Sequence, residues 1–236
     1  MCGNKPFTVK EGMQLTQKRA VIRQSLPDII VADLRQRILS GNLMEGELIR
    51  QEVLAEEYDV SRMPVREALK RLDAEGLVVF INNRGATVTK HSLDEICEIF
   101  DIRILLEVDL FRRAIPLMTE VDFAECDAIL EEMDISYRAG HVADWGPLNA
   151  RYHGVLYAAA GRELTTHLLE RVSLQANRYV SMHIDQLNKS DSAQLDHRAL
   201  LAFAREGNNV EAVEKLRFHI EETKRQVVAL VAASRA

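Results

Sequence analysis

The helical hydrophobic period begins at Ser25. Ile29, Ile30, Leu34, Ile38 and Leu39 fall on one stripe and Gly41 stops the run, which predicts a first helix. Residues 1–24 are polar and weakly patterned, and read as a tail or arm. A turn-rich stretch, Gly41 to Glu47, leads to a short helix over Glu52–Tyr58 with Val53, Leu54 and Tyr58 inward. Ser61 is a suitable N-cap for a third helix over Arg62–Glu75, buried along Val65, Ala68, Leu69 and Leu72 and ended by Gly76. The pattern then turns strand-like over Leu77–Ile81 and Ala86–Thr89, around an Asn82-Asn83-Arg84-Gly85 turn. Three helices and a small hairpin predict a winged helix-turn-helix over residues 25–90.

After Lys90 every segment reads helical. Ser92-Leu93-Asp94-Glu95 is a capping box that opens a helix to Met118. Thr119–Ala139, Asp144–Ala160, Arg162–His183, Ser192–Glu206 and Asn209–Ser234 follow. Six helices of this length predict an all-α bundle with an enclosed centre over residues 91–236. The expected fold is mainly α: an N-terminal winged helix-turn-helix followed by a six-helix bundle.

Composition sharpens this picture. At 47% hydrophobic the chain can build a packed core, and no apolar run approaches the ~18 residues of a membrane helix. Cys2, Cys97 and Cys126 are an odd set at wide spacing, so neither a disulfide framework nor a cysteine zinc site is expected, and a reducing cytoplasm fits best. The net charge of −6 speaks against nucleic acid until it is divided. Residues 1–90 hold 14 basic and 12 acidic side chains, and residues 91–236 hold 16 and 24. All seven histidines lie in the second part. Two halves of different charge and chemistry suggest two jobs.

The first job is legible in the third helix. Arg62, Arg66 and Lys70 share an outward face at i, i+4 and i+8. The first turns of a recognition helix enter the major groove, where arginine donates to guanine O6 and N7 or to phosphate. Ser61 can cap the helix and reach a phosphate. Asn82, Asn83 and Arg84 at the hairpin tip suit a backbone or minor-groove contact, with Gly85 giving the wing its flexibility. Solvated helix charges would look the same by spacing alone; the setting of helix, short helix, helix and hairpin favours DNA.

The second job turns on buried polar residues. Arg103 lies within the apolar stripe of Ile96, Ile99, Phe100, Leu106 and Leu110. A guanidinium there needs an anion, either Glu107 at i+4 or a ligand carboxylate. Asn149 and His153 lie at i, i+4 on one inner helix, His197 lies near Leu200, Leu201 and Ala204, and His219 is in line with Leu216 and Thr223. Each is compatible with a satisfied core residue, and three on separate inner faces can also converge on a metal ion.

The residues Ile38-Leu39-Ser40-Gly41-Asn42-Leu43, Gly46-Glu47-Leu48 and Leu54 through Leu72, continued by Glu75-Gly76-Leu77-Val78 and Arg84-Gly85-Ala86, resemble the signature of the GntR family of bacterial transcription regulators. Asp101 through Glu107, Asn149-Ala150-Arg151-Tyr152-His153, Asp196 through Leu201 and Phe218-His219 are similar to landmarks of the helical effector (FCD-type) domain of its FadR branch, in the six-helix subtype. The resemblance implies DNA contacts by Arg62 and Arg66, with Ser61, Met63 and the wing, and a basic residue near the second helix, for which Arg50 is nearest. It implies a divalent metal, zinc first with nickel or manganese as alternatives, on His153, His197 and His219. Asn149 stands where the family commonly has Asp. A small organic acid would bind to that metal and to Arg103. The implied protein is a cytoplasmic homodimer on a palindromic double-stranded DNA operator, with no membrane partner, and a repressor in the family's commoner behaviour. A metal-responsive regulator and a histidine-metal enzyme acting on small acids or esters remain the alternatives. His141, His167 and His183 are assigned to surface or packing.

Overall fold

A computed structural model of the chain describes residues 25–139, 142–187 and 190–236. The expected arm at residues 1–24, the residues Cys2 and His141, and the side chain of His183 lie outside the described residues.

The first unit is α1 (Leu26–Leu39), β1 (Leu48–Arg50), α2 (Gln51–Glu57), α3 (Arg62–Ala74), β2 (Val78–Ile81) and β3 (Gly85–Val88). Ser25 and Asp28 cap α1 reciprocally, and Pro27 sits in its first turn. Leu34, Val65, Ala68, Leu69 and Leu72 are fully buried and lock α1 against α3. The expected inward stripes hold with two exceptions: Ile29 and Val53 are exposed, because α1 and α2 each bury one narrow face and these residues fall beside it. Lys70 Nζ lies 5.9 Å above the Phe80 ring, fastening α3 to the wing.

The wing is a three-stranded antiparallel sheet in the order β1-β3-β2, rather than a lone hairpin. Arg50 pairs with Gly85 and Leu48 with Thr87. β1 is three residues long, too short to show an alternating pattern against the turn-rich stretch before it. Its presence changes the reason for Gly85. A Cβ there would lie 1.9 Å from the Ile49 carbonyl oxygen, so Gly85 permits close strand approach rather than supplying flexibility. Asn83 takes the left-handed conformation at the tip, with φ of 62°.

The second unit is α4 (Leu93–Ala114), α5 (Glu120–Arg138), α6 (Val142–Ala158), α7 (Glu163–Leu187), α8 (Ser190–Arg205) and α9 (Asn209–Ser234). The Ser92/Glu95 capping box opens α4 as expected. The helix ends at Ala114, four residues early, where Pro116 diverts the chain into a 3-10 turn over Ile115–Leu117. A single apolar core around Phe100, Phe111, Met133, Trp145 and Tyr152 ties the six helices together. Among the described residues no helix is long and apolar enough to cross a membrane.

Candidate functional site

Two sites are built on these units. On the first, Ser61 is the N-cap residue of α3, but its hydroxyl makes no capping bond and is exposed. Met63, Arg66, Asn83 and Arg84 are exposed as well, and Lys70 is exposed above Phe80. Arg62 meets Glu52 at 3.1 Å across the α2–α3 turn, with both side chains about two-thirds exposed. Such a pair is weak in water and leaves the guanidinium available. Arg50 sits at the end of β1 and the start of α2, exposed and without a side-chain cap bond. The sharp turn before α3 uses Asp59 at φ 51°, a conformation Asp tolerates better than most residues.

The second site is buried. Arg103 is 8% exposed and Glu107 1%, and Arg103 Nε donates to Glu107 Oε1 at 2.7 Å. The internal ion pair foreseen for Arg103 is thus formed. It uses only Nε: the two terminal nitrogens have no hydrogen-bond partner among the described residues, and Arg103 lines a cavity of about 70 Å³ together with Asn149, His153, Asp196 and His219.

His153, His197 and His219 come together at that cavity. One ligand-capable atom from each lies within 4.8 Å of the others. Their tautomers follow from their neighbours. Tyr157 donates its hydroxyl to Glu107 Oε2 at 2.6 Å, so at 3.0 Å it must accept from His153 Nδ1. Burial, followed by the Glu107 charge, pushes the Tyr157 phenol well up and keeps that proton in place. Gln194 uses its amide nitrogen on Leu130 O and Asp134 Oδ1, which turns its oxygen to His197 Nδ1 at 3.3 Å. Asp196 Oδ2 lies 3.2 Å from His219 Nδ1. Burial raises the Asp196 carboxyl, but the His219 and Lys215 hydrogen bonds outweigh it and hold it at about 2, so it can only accept. All three Nδ1 atoms are therefore engaged by oxygen acceptors. His197 Nε2 is buried with no partner among the described residues.

Burial is the main cause that lowers His153 and His197 well below the usual histidine range, reinforced by neighbouring His219. Neutral imidazoles with free Nε2 atoms are what a divalent ion requires. Asn149 lines the same cavity. Trp145, also on the wall, has a buried Nε1–H donor without a partner among the described residues.

The FCD domain matches residues 98–222, more than half of the chain, and the bacterial regulatory proteins of the gntR family match residues 26–88. The chain belongs to the GntR family. Over 130 residues it is 32% identical to the gluconate operon transcriptional repressor of Bacillus subtilis, covering 55% of this chain and about half (53%) of that repressor. It is 26% identical over 195 residues to the Escherichia coli repressor GlaR, covering 79% and 89% of the two chains. The solved structure of E. coli McbR/YncC shares the fold with a TM-score of 0.73 at 22% identity, over 91% of this chain and all of that one. These are transcription regulators, not enzymes, and GntR regulators bind DNA operators.

Within this GntR chain, the structure brings Arg103, Asn149, His153 and His219 to one cavity, and sets His197 against His153 and His219 behind its wall. His167 is exposed, as expected. Sequence reading passed over Tyr157, Gln194, Asp196 and Trp145. Three carried a local sign: Tyr157 is four residues after His153 on one helix, and Gln194 and Asp196 are three and one residues before His197. Trp145 carried none beyond being the single tryptophan.

Proposed function

We propose that this chain is a homodimeric repressor whose hold on a palindromic operator is set by a small carboxylate bound in the FCD cavity, against a divalent ion and Arg103. The observation that carries this reading is the meeting of three histidines, each with Nδ1 engaged, around the buried Nε2 of His197, which has no partner among the described residues. His153, His197 and His219 would hold the ion; with the amide of Asn149 a fourth donor, the protein adds no ligand charge. Zinc suits three imidazoles with an open position, and it would supply electrostatic attraction for an acid.

Cavity size favours an effector beyond the ion. One buried water occupies ~10–15 Å³ on the scale by which this cavity measures about 70 Å³. The space suits a small acid better than a metal-bound water alone. The wall offers amides and hydroxyls at Asn177, Thr223 and Gln226, together with the free Trp145 Nε1–H. Hydroxylated acids fit that lining, and gluconate is a first probe because a gluconate operon repressor is among the relatives.

The recognition face reads DNA through Arg62 and Arg66, with Ser61, Met63, Lys70, Arg50 and the wing residues Asn83, Arg84 and Gly85 in support. The domains are residues 25–90 for DNA and 91–236 for effector and dimer. Gel shift on the chain's own upstream DNA, with elemental analysis and chelator titration, tests the whole. Purified protein without metal, and with melting unmoved by chelator or added zinc, would sink the metal claim. Gluconate and related acids should change operator affinity only in the metal-loaded protein.

A further inference from the structure

Helix α7 has two working faces. Asn177 and Val180 line the effector cavity. Arg171, Leu174 and Tyr179 face the DNA-binding unit: Arg171 Nη2 donates to Ala74 O at 3.1 Å, Leu174 packs on the first core, and Tyr179 donates its hydroxyl to Glu45 Oε1 at 2.7 Å. Glu45 lies in the turn before β1. It is also gripped by Arg235, just past the end of α9, whose Nη2 reaches Oε1 at 3.0 Å and Oε2 at 2.7 Å. Arg235 Nη1 donates to His91 O in the connection between the two units, at 2.8 Å. Helix α9 in turn carries the cavity residues His219 and Thr223.

Arg178 sits inside this junction. It is 6% exposed, yet its Nε and Nη1 are buried with no partner among the described residues. Such a guanidinium is costly to keep. Burial lowers its pKa, and the Glu45 charge is the main influence opposing that. Thr89 Oγ1 and Arg235 Nε are buried and unpartnered at the same junction. A small void of about 10 Å³, lined by Ile38, Gly76, Thr89, Arg178 and Tyr179 among others, leaves slack there. Arg235, which is part-buried, and Tyr179 thus hold the Glu45 carboxylate, while the buried Arg178 next to Tyr179 in the chain holds none among the described residues. A buried group left unsatisfied in this way marks stored strain or a second arrangement.

We propose that Glu45 is the moving part of a two-position latch, held here by Arg235 together with Tyr179, and handed from Arg235 to Arg178 in a second placement of the DNA-binding unit. Arg178 lies on α7 and Arg235 directly follows α9, two of the helices that wall the effector cavity. A ligand that shifts α7 against α9 changes which arginine is in reach, and thereby which placement is populated. A ligand moves such an equilibrium only by its differential affinity for the two placements.

The test uses the full chain and fluorescence anisotropy on its own operator DNA. Arg178→Met leaves only the Arg235-held position, and Arg235→Met leaves only the Arg178-held one. The two variants should shift operator affinity in opposite directions, each by about five-fold or more. Shifts in the same direction, a shift in one variant alone, or none in either overturns the latch, since simple loss of packing would weaken both alike. Arg178→Gln and Arg235→Gln, which likewise remove the charge and are read by the same opposite-sign criterion, replace any Met variant that does not melt cooperatively. The latch rests on operator binding and not on the metal. If replacing Arg62 and Arg66 leaves operator affinity intact, the recognition face is misassigned, a result separate from the sign pattern of the latch variants.

Discussion

The recognition face of α3 and the histidine cavity of the bundle are both polar sites on apolar scaffolds, built in opposite ways. On α3 the side chains proposed for contact are exposed, and Arg62 has only a weak surface partner. In the bundle each of the three clustered histidines is oriented by a named acceptor, and Arg103 is tied to Glu107, itself tied to Tyr157. An exposed reader can wait in water until phosphate and bases organise it. A buried binder must be organised in advance, because each unpaired polar group in the interior costs free energy. Changes to the first site should therefore damage function and spare the fold, whereas changes to the second should damage both.

The largest expected effect breaks the buried side. Glu107→Ala strands Arg103 without its counter-ion and should cost about 3–5 kcal/mol of stability, read by equilibrium denaturation. Glu107→Gln keeps an acceptor and should cost less. If both variants are as stable as the parent, the cavity is not the pre-organised site described. Next, Arg62→Ala with Arg66→Ala should weaken operator binding roughly thirty-fold or more, at about 1–3 kcal/mol per base contact, while the melting temperature stays unchanged. A parallel fall in melting temperature would erase the contrast between the two sites.

Two smaller effects sharpen it. Tyr157→Phe removes the acceptor for His153 Nδ1 and should lower zinc affinity by about ten- to a hundred-fold in chelator competition, with the fold retained. An unchanged zinc affinity would mean that the tautomer needs no help. The last effect is on pH. His153 and His197 have folded-state pKa values depressed below those of the unfolded chain. The unfolded state therefore takes up more protons as pH falls below about 6.5, and the metal-free protein should lose melting temperature from pH 7 to pH 5. His153→Gln should flatten that dependence, whereas the Arg62/Arg66 variant should leave it untouched.

Sequence alone reached far into the fold. The 3.6-residue period, the Ser25 and Ser92 caps and the glycine stops located all nine helices described, because these are local signals. β1 was missed, since three residues carry no period and its pairing depends on β3 forty residues away. Ile29 and Val53 read as core because their spacing fits a helix face, but which edge of that face meets a neighbour is decided by packing. In the site, the histidines and Arg103 were visible as polar residues on apolar stripes, the one place where a pattern can betray chemistry.

What the chain by itself determined was the plan: a basic-faced recognition helix with a wing, followed by a helical bundle whose inner faces carry three histidines and an arginine. Only the tertiary structure decided that those three imidazoles meet, that each has its Nδ1 occupied, and that Arg103 keeps its terminal nitrogens free while Glu107 takes the third. It alone left Arg178 buried and without a partner among the described residues, next in the chain to the tyrosine that shares Glu45 with Arg235. The division has a physical cause. Helix period and caps arise from residues within a few positions of one another, whereas hydrogen-bond partnership in a bundle joins residues 50 or 190 positions apart, as Tyr157 with Glu107 and Arg235 with Glu45 do.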